Sequence, residues 1–411
     1  MDTQHLRRRS QEEDLVRRSS AGAALALALA IGACVPAFAQ GTPQTGAPST
    51  ATFVYVSREI RDEPRRSLAE PVSPDFGWQG ARFALAELNA NGQFLGQGFD
   101  LRRVVVPPDQ DLKSVVEPLL RGQAALIVSD LEASDLLALA DLAKSGTSVI
   151  LDARASDDRL RDQECRANVF HVLPSWAMRA GALGRFLAGR GWTRWMLLAG
   201  GSVEDRDYAA ALRAVAPAVG ATIVAGASLP GFGAETSLTQ AQVDERIRSL
   251  THIPQPYDLV LVTDTRGAVG ERVMFNTAAA RLVAGTQGLR ATAWDPQFRD
   301  FAARGFGYRF TQLAGREMTE RDYASWLAVT IYGEAVLRGH VHEPAEVRAF
   351  LRSDRLSVAA FKGQPLKFRA ENQQLRQPLL LFADQVLVAL APEEDGERAT
   401  FHCALDRPPT N

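Results

Sequence analysis

The stretch SPDFGWQGARFALAELNAN, residues 73–91, decides how the chain is read. Its apolar residues return at helical spacing, with Pro74 near the start and Gly92 just past the end, the two residue types that open and close helices. Before it, at 52–56, stands TFVYV, a β-branched and aromatic run of strand type. The pattern then repeats: strand 99–106, helix 112–121, strand 125–129, helix 133–144, strand 148–151. Alternation at these lengths requires right-handed crossovers and a parallel sheet covered by helices on both faces.

The same rhythm restarts beyond Pro174. Helix 177–189, strand 195–199, helix 205–219, strand 222–225, helix 238–250 and strands 259–263 and 281–285 predict a second α/β lobe. Helical stretches at 319–338 and 345–352 follow, then a strand pair, 379–383 and 386–390, turning at Asp384 and Gln385. The fold class is α/β: two Rossmann-like lobes with parallel sheets, joined by a hinge. The expected division is a leader at 1–39, a Gly/Pro/Ser/Thr spacer at 40–51, and a first lobe at 52–170 with a returning segment around 286–315. A second lobe occupies 171–285, and 316–411 completes both lobes. The hinge segments are expected near 152–169, 285–294 and after Leu313.

At the N-terminus, Arg7, Arg8, Arg9, Arg17 and Arg18 precede the apolar run 21–38, which meets Ala37-Phe38-Ala39 before Gln40. These are the three parts of a cleaved secretory signal, so the mature chain is expected to begin at Gln40. The run, interrupted by Gly32 and Pro36, is short for a span of ~20 residues. Ile31-Gly32-Ala33-Cys34 resembles a lipoprotein cleavage box, which makes a lipid anchor at Cys34 the alternative. Cleavage at Gln40 leaves Cys165 and Cys403, and an oxidising compartment leaves a disulfide or two buried thiols as open alternatives.

A net charge of -2 provides no field for phosphate backbones, so no nucleic-acid partner is expected. Nucleophile elbow, P-loop, dinucleotide fingerprint and His-Glu-x-x-His are all missing, which argues against an enzyme and implies no cofactor. His340 and His342 end a predicted helix without the further ligands a metal needs. His171, within 169–173, reads as a strand histidine.

In open α/β sheets the ligand crevice lies at the carboxyl ends of the strands. Those loops hold Ser57, Arg58 and Glu59; Ser129, Asp130 and Ser134; and Asp152, Arg154, Ser156 and Asp157. In the second lobe they hold Ser202, Asp205 and Tyr208, then Asp264, Thr265 and Glu271. Hydroxyls and free amides at helix starts suit a carboxylate. For Ser134, Ser202 and Asp205, helix capping is the competing role. Arg154 and Asp157 have a surface ion pair as theirs. Phe76 and Trp78 read as core of the first helix.

GWQGARFALAELNANGQFLGQ (77–97) and EDRDYAAAL (204–212) are similar to the first-helix and second-lobe patterns of the periplasmic type I solute-binding proteins of ABC importers, the leucine/isoleucine/valine-binding kind. Four further stretches resemble the subgroup associated with pyrroloquinoline-quinone-dependent alcohol dehydrogenase systems: ARASDDRLRDQECRANVFHVLPS (153–175), RLVAGTQGLRATAWDP (281–296), LAGREMTERDYASWLAV (313–329) and FKGQPLKFRAENQQLRQP (361–378). The resemblance implies a monomeric periplasmic protein that captures a small-molecule solute by hinge closure and hands it to an ABC transporter permease. It places Ser134 and Ser156 near the family's carboxylate-binding hydroxyls and matches Tyr208 to the pocket aromatic. Asp264 and Glu271 flank the acid that holds an amino group, and Arg154 stands where a small residue is usual, pointing toward an acidic solute. The expected ligand set is therefore Ser57, Ser134, Arg154, Ser156, Asp157, Tyr208, Asp264 and Glu271. Two alternatives stand: an accessory or sensor protein of the dehydrogenase system, and an exported enzyme with Asp157 or Glu271 as general base.

Overall fold

A computed structural model describes residues 49–59, 75–120, 125–143, 148–229, 238–267, 269–392 and 403. The expected leader, Cys34 and most of the spacer lie outside the described residues. Strands β1 (Ser49–Arg58), β2 (Gln97–Val106), β3 (Leu126–Asp130), β4 (Val149–Asp152) and β5 (Val169–His171) form an all-parallel sheet in the order β2-β1-β3-β4-β5. Side chains alternate across it. Phe53 and Tyr55 enter one core with helices α1 (Trp78–Gly92) and α9 (Glu320–Leu337), while Val56 enters another with α2 (Leu112–Leu120) and α3 (Ala133–Ala143). Strand β1 starts at Ser49, inside the stretch read as spacer, because residues 49–51 pair with β2 and Ser49 Oγ donates to Gln97 Oε1 at 2.6 Å.

The second sheet holds β6 (Arg194–Ala199), β7 (Thr222–Ser228), β8 (Leu259–Thr263), β9 (Leu282–Gly285), β10 (Leu289–Thr292), β13 (Leu379–Ala383) and β14 (Val386–Ala391), in the order β14-β13-β10-β9-β8-β6-β7. Its first five members in space from β7 to β10 are parallel, and the β13–β14 hairpin closes the edge antiparallel. Helices α4 (Trp176–Gly189) and α5 (Val203–Ala218) cover one face. Helices α6 (Gln240–Thr251) and α7 (Gly270–Asn276) cover the other.

After β10 the chain returns to the first lobe with α8 (Ala303–Ala314), α9 and α10 (Pro344–Leu351), whose buried Phe306, Phe310, Tyr323, Trp326 and Phe350 share a core with Phe53 and Phe83. The short strands β11 (Lys367–Phe368) and β12 (Leu375–Arg376) then lead to β13. Helices α1 and α9 cross so closely that a Cβ on Gly80 would sit 1.9 Å from the Asp322 carbonyl oxygen, so only glycine fits there. Three connections therefore link the sheets, between His171 and Trp176, Thr292 and Ala303, and Leu351 and Leu379. A disulfide joins Cys165, before β5, to Cys403, beyond β14, with Cα atoms 5.8 Å apart. Among the described residues no helix is long and apolar enough to cross a membrane.

Sequence reading missed α7, α8 and β10. Gly305 and Gly307 depress the helical propensity of α8, and burial of Phe306 and Phe310 overrides it. Strand β10 has four residues and is held by β9 on one side and β13 on the other.

Candidate functional site

The first-lobe wall forms where β1, β2 and β3 end beside the starts of α1 and α9. A cavity of about 240 Å³ opens there, with Tyr55, Ser57, Arg58, Trp78, Arg103 and Arg321 in its lining. Asp130, at the end of β3, accepts from Tyr55 Oη at 2.5 Å and from Arg321 Nε and Nη2 at 2.6 and 2.9 Å. Burial first, and then the Asp130 charge, push the Tyr55 hydroxyl well above its usual pKa, so it stays a donor. Trp78 meets Tyr55 edge-on at 5.4 Å, and the exposed Arg103 guanidinium lies 4.9 Å from its ring. Trp78 thus packs on the core and lines the cavity at once. Arg58 turns away to Asp135, with Nη2 2.9 Å from Oδ1. Ser129 Oγ is buried without a hydrogen-bond partner among the described residues.

The second wall begins in the loop after β4. Asp152 accepts from the amides of Arg154 and Ala155 at 3.1 and 3.0 Å and meets His171 Nδ1 at 2.8 Å. Burial is the main cause that lowers the His171 pKa to about 4, followed by the nearby Arg161, so the ring is neutral. The Ser156 carbonyl accepts from the Trp176 amide at 2.9 Å, and Asp158 Oδ1 from the Ala177 amide at 3.0 Å, fixing this loop against the start of α4. Trp176 stacks on Tyr208 of α5 with centroids 5.0 Å apart and planes 26° apart. Burial raises the carboxyl pKa values of Asp157, Asp158 and Asp207, with Arg159 opposing the rise at Asp157 and Asp207.

Behind this wall, the lobes meet through charge. Arg179 Nη1 lies 2.9 Å from Glu320 Oε1 and donates to the Ala291 carbonyl at 3.0 Å. Glu320 Oε1 also accepts from Thr292 Oγ1 and the Ala293 amide. Lys362 is fully buried, donates to the Ala293 carbonyl and stands 5.4 Å from the Tyr323 ring; burial lowers its pKa to about 7. The wholly buried Arg161 guanidinium donates to the carbonyls of Ala155, Asp157 and Leu173 and to Gln374 Oε1.

The expected ligand set divides on this geometry. Ser57 lines the first cavity, while Ser156, Asp157 and Tyr208 gather at the junction of the β4 loop with α4 and α5. Ser134 is exposed on α3 and apart from both groups. Arg154 pairs with Glu132 at 3.0 Å rather than with Asp157, whose ion pair is to Arg159. Asp264 Oδ2 accepts from the Val269 and Gly270 amides at 2.8 and 2.6 Å, the role of a helix cap for α7, and Glu271 follows half-buried in that helix. Asp205 closes a capping box with Ser202 and accepts from Thr265. Trp176, Arg179, Arg321 and Lys362 escaped sequence reading because each faces a partner distant in the chain. The one available signal was that Trp176 and Arg179 open a helix at the first lobe crossing.

Residues 65–245 match the family model described as Periplasmic binding protein. A branched-chain amino acid ABC transporter periplasmic ligand-binding protein from Burkholderia xenovorans LB400 superposes with TM-score 0.66 at 18% identity, covering 87% of this chain and 100% of that one. An ABC transporter substrate-binding protein from Desulfitobacterium hafniense, in complex with Leu, gives 0.62 at 17% identity over 83% and 99%. A solute-binding protein from Rhodopseudomonas palustris BisB5, in complex with 3,4-dihydroxy benzoic acid, gives 0.60 at 12% identity over 85% and 99%. No curated protein matches. Two α/β lobes built on largely parallel sheets and joined by three connections define the fold class. The chain has the type I periplasmic binding protein fold, and the matched family and similar structures are binding proteins rather than enzymes.

Proposed function

We propose that the chain is the exported substrate-binding component of an ABC importer, capturing a small polar solute between its lobes. The observation that carries this reading is the pair of polar walls at the carboxyl ends of two parallel sheets, bridged by the Ser156–Trp176 contact. A solute touched by both walls favours the closed form, since only that form contacts it from two sides. A ligand that binds only the folded state raises its thermal midpoint by mass action. Screening the mature protein against amino acids, carboxylates, alcohols and aldehydes should therefore give one class of hits. A flat screen with well-folded protein would sink the reading.

Periplasmic location, a monomeric state and cleavage before Gln40 belong to the same proposal. Intact mass of the exported protein separates that cleavage from lipidation at Cys34. The four stretches similar to the dehydrogenase-associated subgroup favour a solute linked to alcohol oxidation, and equally an accessory or sensor protein of such a system. Co-purification of the dehydrogenase with a chain that closes on no solute would select the accessory role.

A further inference from the structure

Three buried donors at the lobe junction have no acceptor among the described residues. Trp176 and Arg179 lie three residues apart on the first turn of α4, and Tyr208 lies on α5. The indole stacks on the phenol at 5.0 Å, and the Arg179 guanidinium carbon is 5.6 Å from the Trp176 ring, so the three form one patch. Tyr208 is 2% exposed and Arg179 7% exposed. Trp176 Nε1, Arg179 Nε and Tyr208 Oη are all shielded from solvent, and none has a hydrogen-bond partner among the described residues.

Indole N–H and guanidinium N–H groups can only donate, so whatever completes this patch must accept. Each buried donor left unpaired costs about 1–3 kcal/mol, and native interiors leave few of them. The Arg179 and Glu320 charges beside Tyr208 offset each other, and Glu320 is already bonded to Arg179, Thr292 and Ala293, so the donors, rather than net charge, favour an acid. The patch also touches both lobes, through the Trp176 amide to Ser156 and through Arg179 to Glu320 of α9.

We propose that the captured solute is an organic acid whose carboxylate is seated on Trp176 Nε1, Arg179 Nε and Tyr208 Oη. This rests on the solute-capture reading and narrows it. The guanidinium and indole replace Arg154, which is held by Glu132, as the groups that select an acid.

The test titrates the full mature protein calorimetrically with benzoate, 3,4-dihydroxybenzoate and acetate, with benzamide and benzyl alcohol as neutral counterparts and leucine as the zwitterion. One or more carboxylates should bind and the neutral counterparts should not. Trp176→Phe keeps an aromatic ring but deletes the N–H together with the pyrrole part of the indole, and Tyr208→Phe deletes only the hydroxyl. Each should weaken carboxylate binding by roughly 10- to 100-fold, because one charge-assisted hydrogen bond is lost. Tyr208→Phe should leave the ligand-free midpoint unchanged or higher, because an unpaired buried group has gone, whereas Trp176→Phe gives up part of its stack on Tyr208 and should lower it slightly. Carboxylate affinity indifferent to both substitutions, or neutral probes binding as well as acids, overturns the proposal. Binding of leucine or benzyl alcohol without any carboxylate overturns it while sparing solute capture, whereas folded protein that binds no probe overturns both.

Discussion

The Cys165–Cys403 bridge closes a sequence separation of 238 residues, and its removal has a calculable effect. The chain-entropy relation assigns a loop of that size about 5 kcal/mol of stabilisation through the unfolded state. Cys403→Ser, made together with Cys165→Ser to avoid a stray thiol, should therefore lose several kcal/mol, up to about 5 kcal/mol. Urea unfolding followed by tryptophan fluorescence and far-ultraviolet circular dichroism measures this directly, and reductant should move the parent protein to the same midpoint. Coincident curves for oxidised and reduced protein would refute the reasoning, as would two titratable thiols in the denatured, unreduced chain.

Arg161→Met removes the donor that serves three carbonyls and Gln374, and should cost roughly 3–5 kcal/mol, as breaking a buried ionic network does. Urea midpoints for this variant within experimental error of the parent would contradict that. His171 has a folded pKa of about 4, below its unfolded value, so the unfolded chain takes up the proton first as pH falls. Its contribution to stability is flat above pH 6.5 and falls by on the order of 3 kcal/mol toward pH 4. A proton resonance of the ring that titrates between pH 6 and 7 would exclude a neutral His171. Lys362 has a folded pKa of about 7, so the unfolded chain holds the proton from there up to about pH 10 and its destabilising effect fades over that interval. Lys362→Met should accordingly gain midpoint over the parent at pH 6 and lose that gain by pH 10; a difference independent of pH would count against a buried, titrating amine.

Alternation of strands with helices was legible because it is local: TFVYV and the 73–91 helix show their periods within a few turns. The position of Tyr208 near the start of α5 was legible for a related reason, since it follows from a strand end and a helix start only a few residues apart. What was not legible depends on distance in the chain. Arg154 looked free for a ligand because Glu132, 22 residues earlier, is invisible to local reading. Asp264 reads as flanking the acid that holds an amine, and local reading gives no sign that its carboxylate closes the turn into α7, a short helix that the sequence pattern does not announce. Arg179 on α4, Glu320 at the start of α9 and Lys362 in the third passage between the lobes are far apart in sequence, so only the folded chain places them together.

Several buried charges bond to or lie within the passages between the lobes, and this has a thermodynamic side. Arg161, Arg179 with Glu320, and Lys362 all bond to backbone carbonyls or side chains of the connecting segments, so directional hydrogen bonds rather than apolar contacts set their register. Apolar packing would tolerate several registers of these segments; a guanidinium with four acceptors tolerates one. Beside that fixed frame, the Trp176–Arg179–Tyr208 patch leaves three donors without a partner among the described residues, each at a cost of about 1–3 kcal/mol. On the proposal above, an acceptor seated there would relieve that cost, and it would bias closure of the lobes by the difference between what it satisfies in the open and in the closed form.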